Sequence, residues 1–354
     1  MKKIILSLII SCILVSCNNS SIVGVTSFSV QDALGRTVEF SEFPERIVIA
    51  GKQTPTIANF FYLFSSRSDR LIAIENRAQS VDKFLSLIDT EYESKLILEK
   101  GAGVEQISPL DPDLVFLKTS MKEEIGIGLE EAGIRVVYVS FEDEENIFND
   151  IRVFGKVLDS EDRAEELISE YQRIYSDINN KLLATSRTKN VLLVQATDSE
   201  NGYTFKVPSI SWLQTKMVED LNATPVWTSA SLSGGWTEVN IEQILTWDPD
   251  VVLVINYQGK SLEITNKLKE NPIWEQFIAE KEITLEPFPY DYSSWDQPDT
   301  RWILGYAWIA GKLYPDEVTS TDMLDLAGNF YKFFYGMDDS FFLNEIKPLF
   351  SVFL

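Results

Sequence analysis

Histidine is missing from this chain of 354 residues, and cysteine is almost as scarce. Histidine is the commonest protein ligand for zinc, nickel and copper and the usual general base near neutral pH. The two cysteines, Cys12 and Cys17, both lie within the first seventeen positions, so the rest of the chain forms no disulfide, thiolate zinc site or iron–sulfur cluster. These absences exclude His-dependent metal sites and catalytic triads. We expect neither catalytic residues nor metal-ligating side chains.

The chain also has few basic residues compared with acidic ones. Lysine and arginine number 31 against 54 aspartates and glutamates, which gives a formal net charge of -23. Such a surface repels nucleic acid and anionic lipid, so we expect no nucleic-acid partner. The chain is 45% hydrophobic and 12% aromatic, which is enough apolar material for one large or two medium globular domains.

The first seventeen residues have the features of a secretory signal. Two lysines precede an apolar run over residues 4–15, which is too short to span a membrane. The run ends in LVSC, which resembles the bacterial lipobox, whose cysteine is diacylated and becomes the first mature residue. On this interpretation, residues 1–17 are a signal peptide and residues 18–29 are a tether. Cys17 is the lipidation site, and lipid such as palmitate is the only covalent attachment that we expect. We expect an extracytoplasmic protein, lipid-anchored to a bacterial membrane at the cell surface or in the periplasm.

A repeated motif gives the strongest evidence of internal organisation. EQISPLDPDLV at residues 105–115 reappears as EQILTWDPDVV at residues 242–252, with seven of eleven positions identical. In each copy we expect a short helix that stops at the Asp-Pro pair, because proline disfavours a helical residue before it, and then a buried aliphatic strand. Two copies of one core unit predict two similar lobes.

Alternating helical and strand patterns surround each copy. We expect the following strands: 46–50, 71–74, 114–118 and 135–139 in the first lobe, and 190–195, 223–226, 251–255 and 282–286 in the second. Short strands joined by helices favour mostly parallel sheets covered on both faces. The predicted fold is α/β, with an N-terminal lobe over residues 30–144 and a C-terminal lobe over 188–354.

A helical segment over residues 145–187 separates the two lobes. Within it, apolar residues at helical spacing predict one helix over about 161–184, with Ser160 as its N-cap and acidic residues in its first turn. Such a helix is roughly 36 Å long and would bridge the lobes as a stiff rod.

At this point the sequence resembles the substrate-binding lipoproteins of bacterial ABC importers for iron-siderophores, haem and cobalamin. The resemblance covers nearly all of the mature chain. Its carriers are DALGRTV at 32–38, PERIV at 44–48, the two repeat copies, and WDQP at 295–298 followed by Arg301. It implies two α/β lobes joined by one long helix, with a ligand cleft between them. It also implies a binding protein and not an enzyme.

The resemblance gives Glu105 and Glu242 a role in docking. In this family, a glutamate at this position of each lobe pairs with arginines on the two membrane subunits of the importer. We therefore expect an ABC permease dimer, with its ATPase, as the partner. A solvated first-turn acid favoured by the helix dipole is the alternative interpretation of each glutamate.

Ligand contacts are expected just beyond the ends of strands, where the loops of both lobes converge. The candidates are Lys52, Gln53, Thr54, Arg77 and Thr119 in the first lobe and Tyr203, Trp236, Tyr257, Tyr290, Tyr292, Trp295 and Arg301 in the second. Most aromatic residues are core or surface packing. The stretch from Tyr290 to Trp295 is distinctive because three aromatic residues and an aspartate lie among prolines.

The ligand is expected to arrive as a metal chelate, since the chain lacks the soft ligands that hold a bare transition metal. A ferric siderophore fits best, followed by cobalamin. Haem would need a tyrosine or methionine ligand. One branch of the family binds molybdate or tungstate, and the hydroxyls and glycines near the strand ends keep that alternative open.

A glycoside hydrolase is a remote alternative from another functional class. Tryptophans near Asp291, Asp296 and Asp299 superficially resemble a sugar platform with two carboxylates. The duplicated glutamates of the repeat would have no use in such an enzyme.

Overall fold

The computed structural model describes residues 27–76, 81–183, 185, 188–199, 202–231 and 234–354. Cys17 and Arg77 lie outside these ranges, so the lipobox and the predicted role of Arg77 stay predictions. None of the helices in the described part of the chain is both long enough and apolar enough to cross a membrane.

A five-stranded parallel sheet with the strand order β5-β4-β3-β6-β7 forms the first lobe. Its strands are β3 (Ile47–Ile49), β4 (Leu71–Glu75), β5 (Leu96–Leu98), β6 (Leu114–Lys118) and β7 (Val136–Val139), and an antiparallel hairpin of β1 (Phe28–Gln31) and β2 (Thr37–Phe40) precedes them. The helices of this lobe are α1 (Thr54–Phe61), α2 (Val81–Ile88), α3 (Val104–Ile107) and α4 (Ile127–Glu131). β3, β6 and β7 are buried along their whole length, which explains why their sequences are apolar apart from Lys118 at the end of β6. The short edge strand β5 was not predicted because two of its three residues are exposed.

The second lobe is built on a mixed sheet with the order β11-β9-β8-β12-β13, and β10 pairs with the start of β8. Its strands are β8 (Asn190–Ser199), β9 (Gly202–Val207), β10 (Thr224–Pro225), β11 (Thr237–Val239), β12 (Val251–Ile255) and β13 (Thr284–Pro287). β8, β10, β12 and β13 are parallel, whereas β9 and β11 are antiparallel to their neighbours. The predicted α/β class with two mostly parallel sheets is confirmed. The prediction that Tyr203 lies in a loop was wrong, because β8 and β9 form a hairpin that contains it.

Two consecutive helices connect the lobes. α5 (Glu144–Val157) follows β7, and α6 (Glu161–Leu182) leads to β8. Asp159 separates them in the left-handed region, at φ 53°. The 22 residues of α6 make it about 33 Å long. Ser160 stands at its N-cap as predicted, but its hydroxyl donates to the Leu158 carbonyl oxygen at 3.1 Å instead of capping the helix.

The remaining helices cover the second sheet and return to the first lobe. They are α7 (Leu213–Asp220), α8 (Ile241–Trp247), α9 (Ser261–Lys269), α10 (Pro272–Lys281), α11 (Trp302–Leu313), α12 (Ser320–Tyr335), α13 (Asp339–Phe341) and α14 (Lys347–Phe350). α11 packs on α6, where the Tyr171 hydroxyl donates to the Thr300 carbonyl oxygen at 2.7 Å. α12 contacts the segment after α1, so the chain's last helices help to fix how the lobes are arranged.

Candidate ligand-binding cleft

The two repeat copies place their glutamates alike. Glu105 and Glu242 are each the second residue of a short helix, α3 and α8, and both side chains are exposed. An aspartate in the left-handed region ends each segment: Asp111, at φ 48°, follows the 3-10 turn that continues α3, and Asp248, at φ 50°, directly follows α8. The repeat in sequence is therefore a repeat in backbone conformation, and it presents two exposed carboxylates in equivalent surroundings.

The loop after β7 is a point at which the lobes touch. There the Glu142 carbonyl oxygen accepts a hydrogen bond from the backbone N–H of Leu213, the first residue of α7, at 3.1 Å. The Glu142 side chain reaches back to Lys118, the last residue of β6, with 2.8 Å between carboxylate and amine. The carboxyl ends of β6 and β7 thus face the start of α7, as expected for a site between two α/β lobes.

Three aromatic rings follow from this contact into the second lobe. Trp212 packs edge-to-face on Trp236, with 5.5 Å between ring centroids, and Trp236 packs edge-to-face on Tyr257 at 5.9 Å. All three side chains are half-buried. We call Trp212, Trp236 and Tyr257 the aromatic cluster. The sequence indicated two of its members and missed Trp212, because β9 was not recognised and the following residues were not placed at a strand end.

A buried carboxylate is hydrogen-bonded to Tyr257 of the aromatic cluster. Asp296 is 0% exposed and accepts hydrogen bonds from the Tyr257 hydroxyl at 2.9 Å, the Gln214 amide at 3.3 Å and the Ser294 hydroxyl. Burial raises the pKa of Asp296, while these three donors lower it. Burial, and after it the nearby Asp296, holds the pKa of Tyr257 well above its usual value. Tyr257 is thereby fixed as a neutral hydrogen-bond donor.

The stretch from residue 290 to 301 is more deeply buried than the sequence suggested. Trp295 is 0% exposed, and its indole N–H donates to Asp291 at 3.0 Å. Arg301 is also 0% exposed and forms ion pairs with Asp291 at 3.0 Å and Asp299 at 2.9 Å. Burial on its own lowers the pKa of Arg301, but the surrounding negative groups, Asp291 foremost, outweigh it and hold the pKa well above its usual value. Direct ligand contact by Trp295 or Arg301 would need this stretch to open.

The two remaining tyrosines of the stretch are packed differently. The ring of Tyr290 covers Gly259, where an added Cβ would come within 3.0 Å of it. The ring of Tyr292 crosses to the first lobe and lies 5.6 Å from the ring of Phe84 in α2. Tyr203 packs within the second lobe, 6.4 Å from the ring of Phe205. Among the described residues, none of these three rings packs on a ring of the aromatic cluster.

The first-lobe candidates separate into exposed and structural residues. Lys52 is exposed, with its amine 3.4 Å from the Glu124 carboxylate, and Gln53 is exposed in the left-handed region at φ 56°. Thr54 is buried, and its hydroxyl donates to the Glu75 carbonyl oxygen at 2.9 Å. Thr119 is half-buried directly after β6. In the part of the chain that the structure describes, no three acidic or other ligating side chains group together to hold a metal ion.

Comparison with known proteins identifies relatives of this architecture. A family model described as periplasmic binding protein matches residues 91–283, more than half of the chain. The molybdate-binding protein MolA of Haemophilus influenzae is 23% identical, over 93% of this chain and 96% of its own length. The Fe(3+)-citrate-binding protein YfmC of Bacillus subtilis is 25% identical, over 51% of this chain and 54% of its own length.

Solved structures share the fold. A periplasmic solute-binding protein from Veillonella parvula superposes with a TM-score of 0.72 at 23% identity, covering 92% of this chain and 99% of its own. MolA bound to molybdate gives a TM-score of 0.68 at 18% identity, with coverage of 88% and 98%.

Proposed function

This chain belongs to the periplasmic binding protein family, and we propose that it binds a ferric chelate of the siderophore or citrate type in the cleft between its lobes. Members of this family serve ABC importers from outside the cytoplasm and are solute-binding proteins. In our proposal the loaded protein docks on a permease dimer, with its ATPase, through Glu105 and Glu242.

The aromatic cluster is the observation that carries the choice of ligand. Three half-buried rings adjoin the contact between the lobes and form an apolar wall, in which Tyr257 is held by its hydrogen bond to buried Asp296. Such a wall suits the organic part of a chelate and is larger than a bare oxyanion needs. The similarity to a protein named for binding Fe(3+)-citrate supports this class of ligand.

Molybdate or tungstate is the second candidate. The similarity to a protein named for binding molybdate extends over 93% of this chain. Beside the aromatic cluster, Ser209 and Ser211 place their hydroxyl oxygens 3.2 Å apart, and hydroxyls are suitable donors to a small oxyanion.

A thermal-shift screen with the purified full chain tests the ligand class. The panel is ferric citrate, a ferric siderophore, molybdate, tungstate, cobalamin and haem. A ligand at a hundred times its dissociation constant stabilises the folded state by about 2.7 kcal/mol, which gives a readily measured rise in melting temperature. We expect the largest rise with a ferric chelate. A rise confined to molybdate and tungstate would replace the first candidate by the second.

Lipid attachment at Cys17 would keep this protein beside its transporter. Two acyl chains anchor a protein stably, because each buried methylene contributes about 0.8 kcal/mol. We expect C17S to be released from membranes or left unprocessed. Unchanged, detergent-dependent fractionation of that variant would refute the anchor.

A further inference from the structure

Lys118 is a buried lysine at the contact between the lobes. It is 3% exposed, and its amine lies 2.8 Å from the Glu142 carboxylate. That contact lacks the angles of a hydrogen bond, and no other hydrogen-bond acceptor among the described residues satisfies the amine. An ammonium group carries three N–H donors, so Lys118 has donors left over. Unsatisfied buried donors are rare in folded proteins and need an explanation.

Glu142 is the exposed side of this pair. Its side chain is 40% exposed, against 4% for that of Lys118. Its backbone carbonyl oxygen binds Leu213, next to Trp212 of the aromatic cluster. Glu142 thus carries the backbone contact to the second lobe, one residue from Trp212, and also the partly exposed carboxylate that is paired with the buried ammonium.

Because the chain as a whole is strongly negative, an anionic ligand needs a positive group close to its binding site. A chain with a net charge of -23 repels an anion unless a buried positive group attracts it at short range. Arg301 is already neutralised by Asp291 and Asp299, and exposed Lys52 is screened by solvent beside Glu124. The buried amine of Lys118 is the better placed cation, because its ion pair with Glu142 is poorly aligned, although its charge also acts on Asp150.

We propose that Lys118 selects an anionic ligand and that Glu142 is an internal competitor which the ligand displaces from it. This inference rests on the proposed function. It assigns the ligand a chemical class, an anion with exposed oxygens, which both a ferric carboxylate chelate and a molybdate-type oxyanion satisfy. Once Glu142 is displaced, the ligand oxygens accept hydrogen bonds from the Lys118 amine.

Titration calorimetry on the purified full chain, with ferric citrate and with sodium molybdate in separate arms, tests this assignment. The variants are E142Q, K118Q, the double variant K118Q/E142Q, and E124Q as the matched control at the pair of Lys52 and Glu124 in the same lobe. We expect E142Q to tighten binding of the anion roughly three- to tenfold. K118Q weakens it by about tenfold or more, and most of the gain from E142Q disappears in the double variant. The arm that responds identifies the source of the anion.

The opposite signs of the two substitutions distinguish this role from a structural one, which would weaken binding in both. Unchanged or weaker binding by E142Q, or an equal gain in E124Q, overturns the proposal. If K118Q melts early, E142Q against E124Q still decides the question. If the wild-type chain binds cobalamin and neither anion, the role of Lys118 is overturned and the proposed import function stands. If the wild-type chain binds no member of the screen, both the role of Lys118 and the proposed function are overturned.

Discussion

Asp113 and Asp250 perform the same task in the two lobes. The carboxylate of Asp113 accepts a hydrogen bond from the backbone N–H of Arg46 at 2.9 Å, and that of Asp250 accepts one from Asn190 at 2.7 Å. Asp113 immediately precedes the buried strand β6, and Arg46 immediately precedes β3, the parallel neighbour of β6. Asp250 immediately precedes the buried strand β12, and Asn190 is the first residue of β8, the parallel neighbour of β12. Each Asp-Pro-Asp motif therefore ties the end of a glutamate-bearing segment to the sheet. The docking surface we propose is fixed to both lobes in the same way.

The double substitution E105A/E242A should abolish ligand uptake in cells and leave ligand affinity unchanged. Both side chains are exposed at the starts of helices, so their removal costs little stability, while the proposed ion pairs with the transporter are lost. Uptake assays with the labelled ligand and calorimetry on the purified variant measure the two effects separately.

E161A/E275A is the matched control for that experiment. Glu161 and Glu275 are also exposed acids in the first turns of helices, α6 and α10, and they lie outside the repeat. Normal uptake is expected in this control. A similar loss of uptake in both double variants would show that net charge, and not the repeat, governs docking.

The regular part of the fold could be predicted because its signals are local. After the Asp-Pro-Asp motif, β6 begins with four apolar residues and β12 is an aliphatic run, and α6 has apolar residues at helical spacing. β9 was not predicted because, in its antiparallel hairpin, only Phe205 and Val207 are buried and its other residues are half-buried or exposed, unlike those of the buried parallel strands.

The contacts of the candidate site were harder to predict from the sequence because the residues that touch one another there are far apart in the chain. The cation–π contact between Arg301 and Phe84, at 4.2 Å, joins residues more than two hundred positions apart. Nothing near Arg301 in sequence indicates that contact. Lys118 looked like an ordinary strand residue, and only the structure places Glu142 against it.

Substitution of Trp236 by leucine should weaken ligand binding by about tenfold. Trp236 contacts both other members of the aromatic cluster, so its loss removes the centre of the wall. Calorimetry with the ligand found in the screen measures the effect, and quenching of tryptophan fluorescence gives an independent signal. W247L is the control, since Trp247 is another half-buried tryptophan, in α8. Equal affinity in W236L and the wild type would remove the cluster from the site.

Replacement of Arg301 by methionine should destabilise the protein by about 3–5 kcal/mol, because Asp291 and Asp299 would remain buried without their cation. Urea unfolding measures this loss. R173M is the comparison: Arg173 pairs with Glu170 and Asp177 at the surface of α6, where an ion pair contributes roughly 1 kcal/mol or less. If R301M unfolds within about 1 kcal/mol of the wild type, the ion pairs in this buried stretch do not stabilise the fold.

Asp150 should make stability fall as the pH rises towards 8. Its carboxylate is 2% exposed and accepts hydrogen bonds from the backbone N–H groups of Ser140 and Phe141 at 2.8 and 2.9 Å. Burial raises its pKa from 3.8 to about 7, although those two bonds and Lys118 lower it and Asp32 raises it slightly. Between these values the folded state holds a proton that the unfolded chain has released, so this contribution to stability is present below about pH 4 and is lost by the time the pH passes 7.

The variant D150N isolates that effect, because the amide resembles the protonated carboxyl and does not titrate. Melting temperatures measured from pH 4 to 8 should fall more steeply in the wild type than in D150N, with the difference concentrated between about pH 5 and 7. D162N, at an exposed aspartate in the first turn of α6, controls for a change in net charge and should follow the wild-type slope. Parallel curves for D150N and the wild type would mean that Asp150 titrates at the same pH in the folded and unfolded chains.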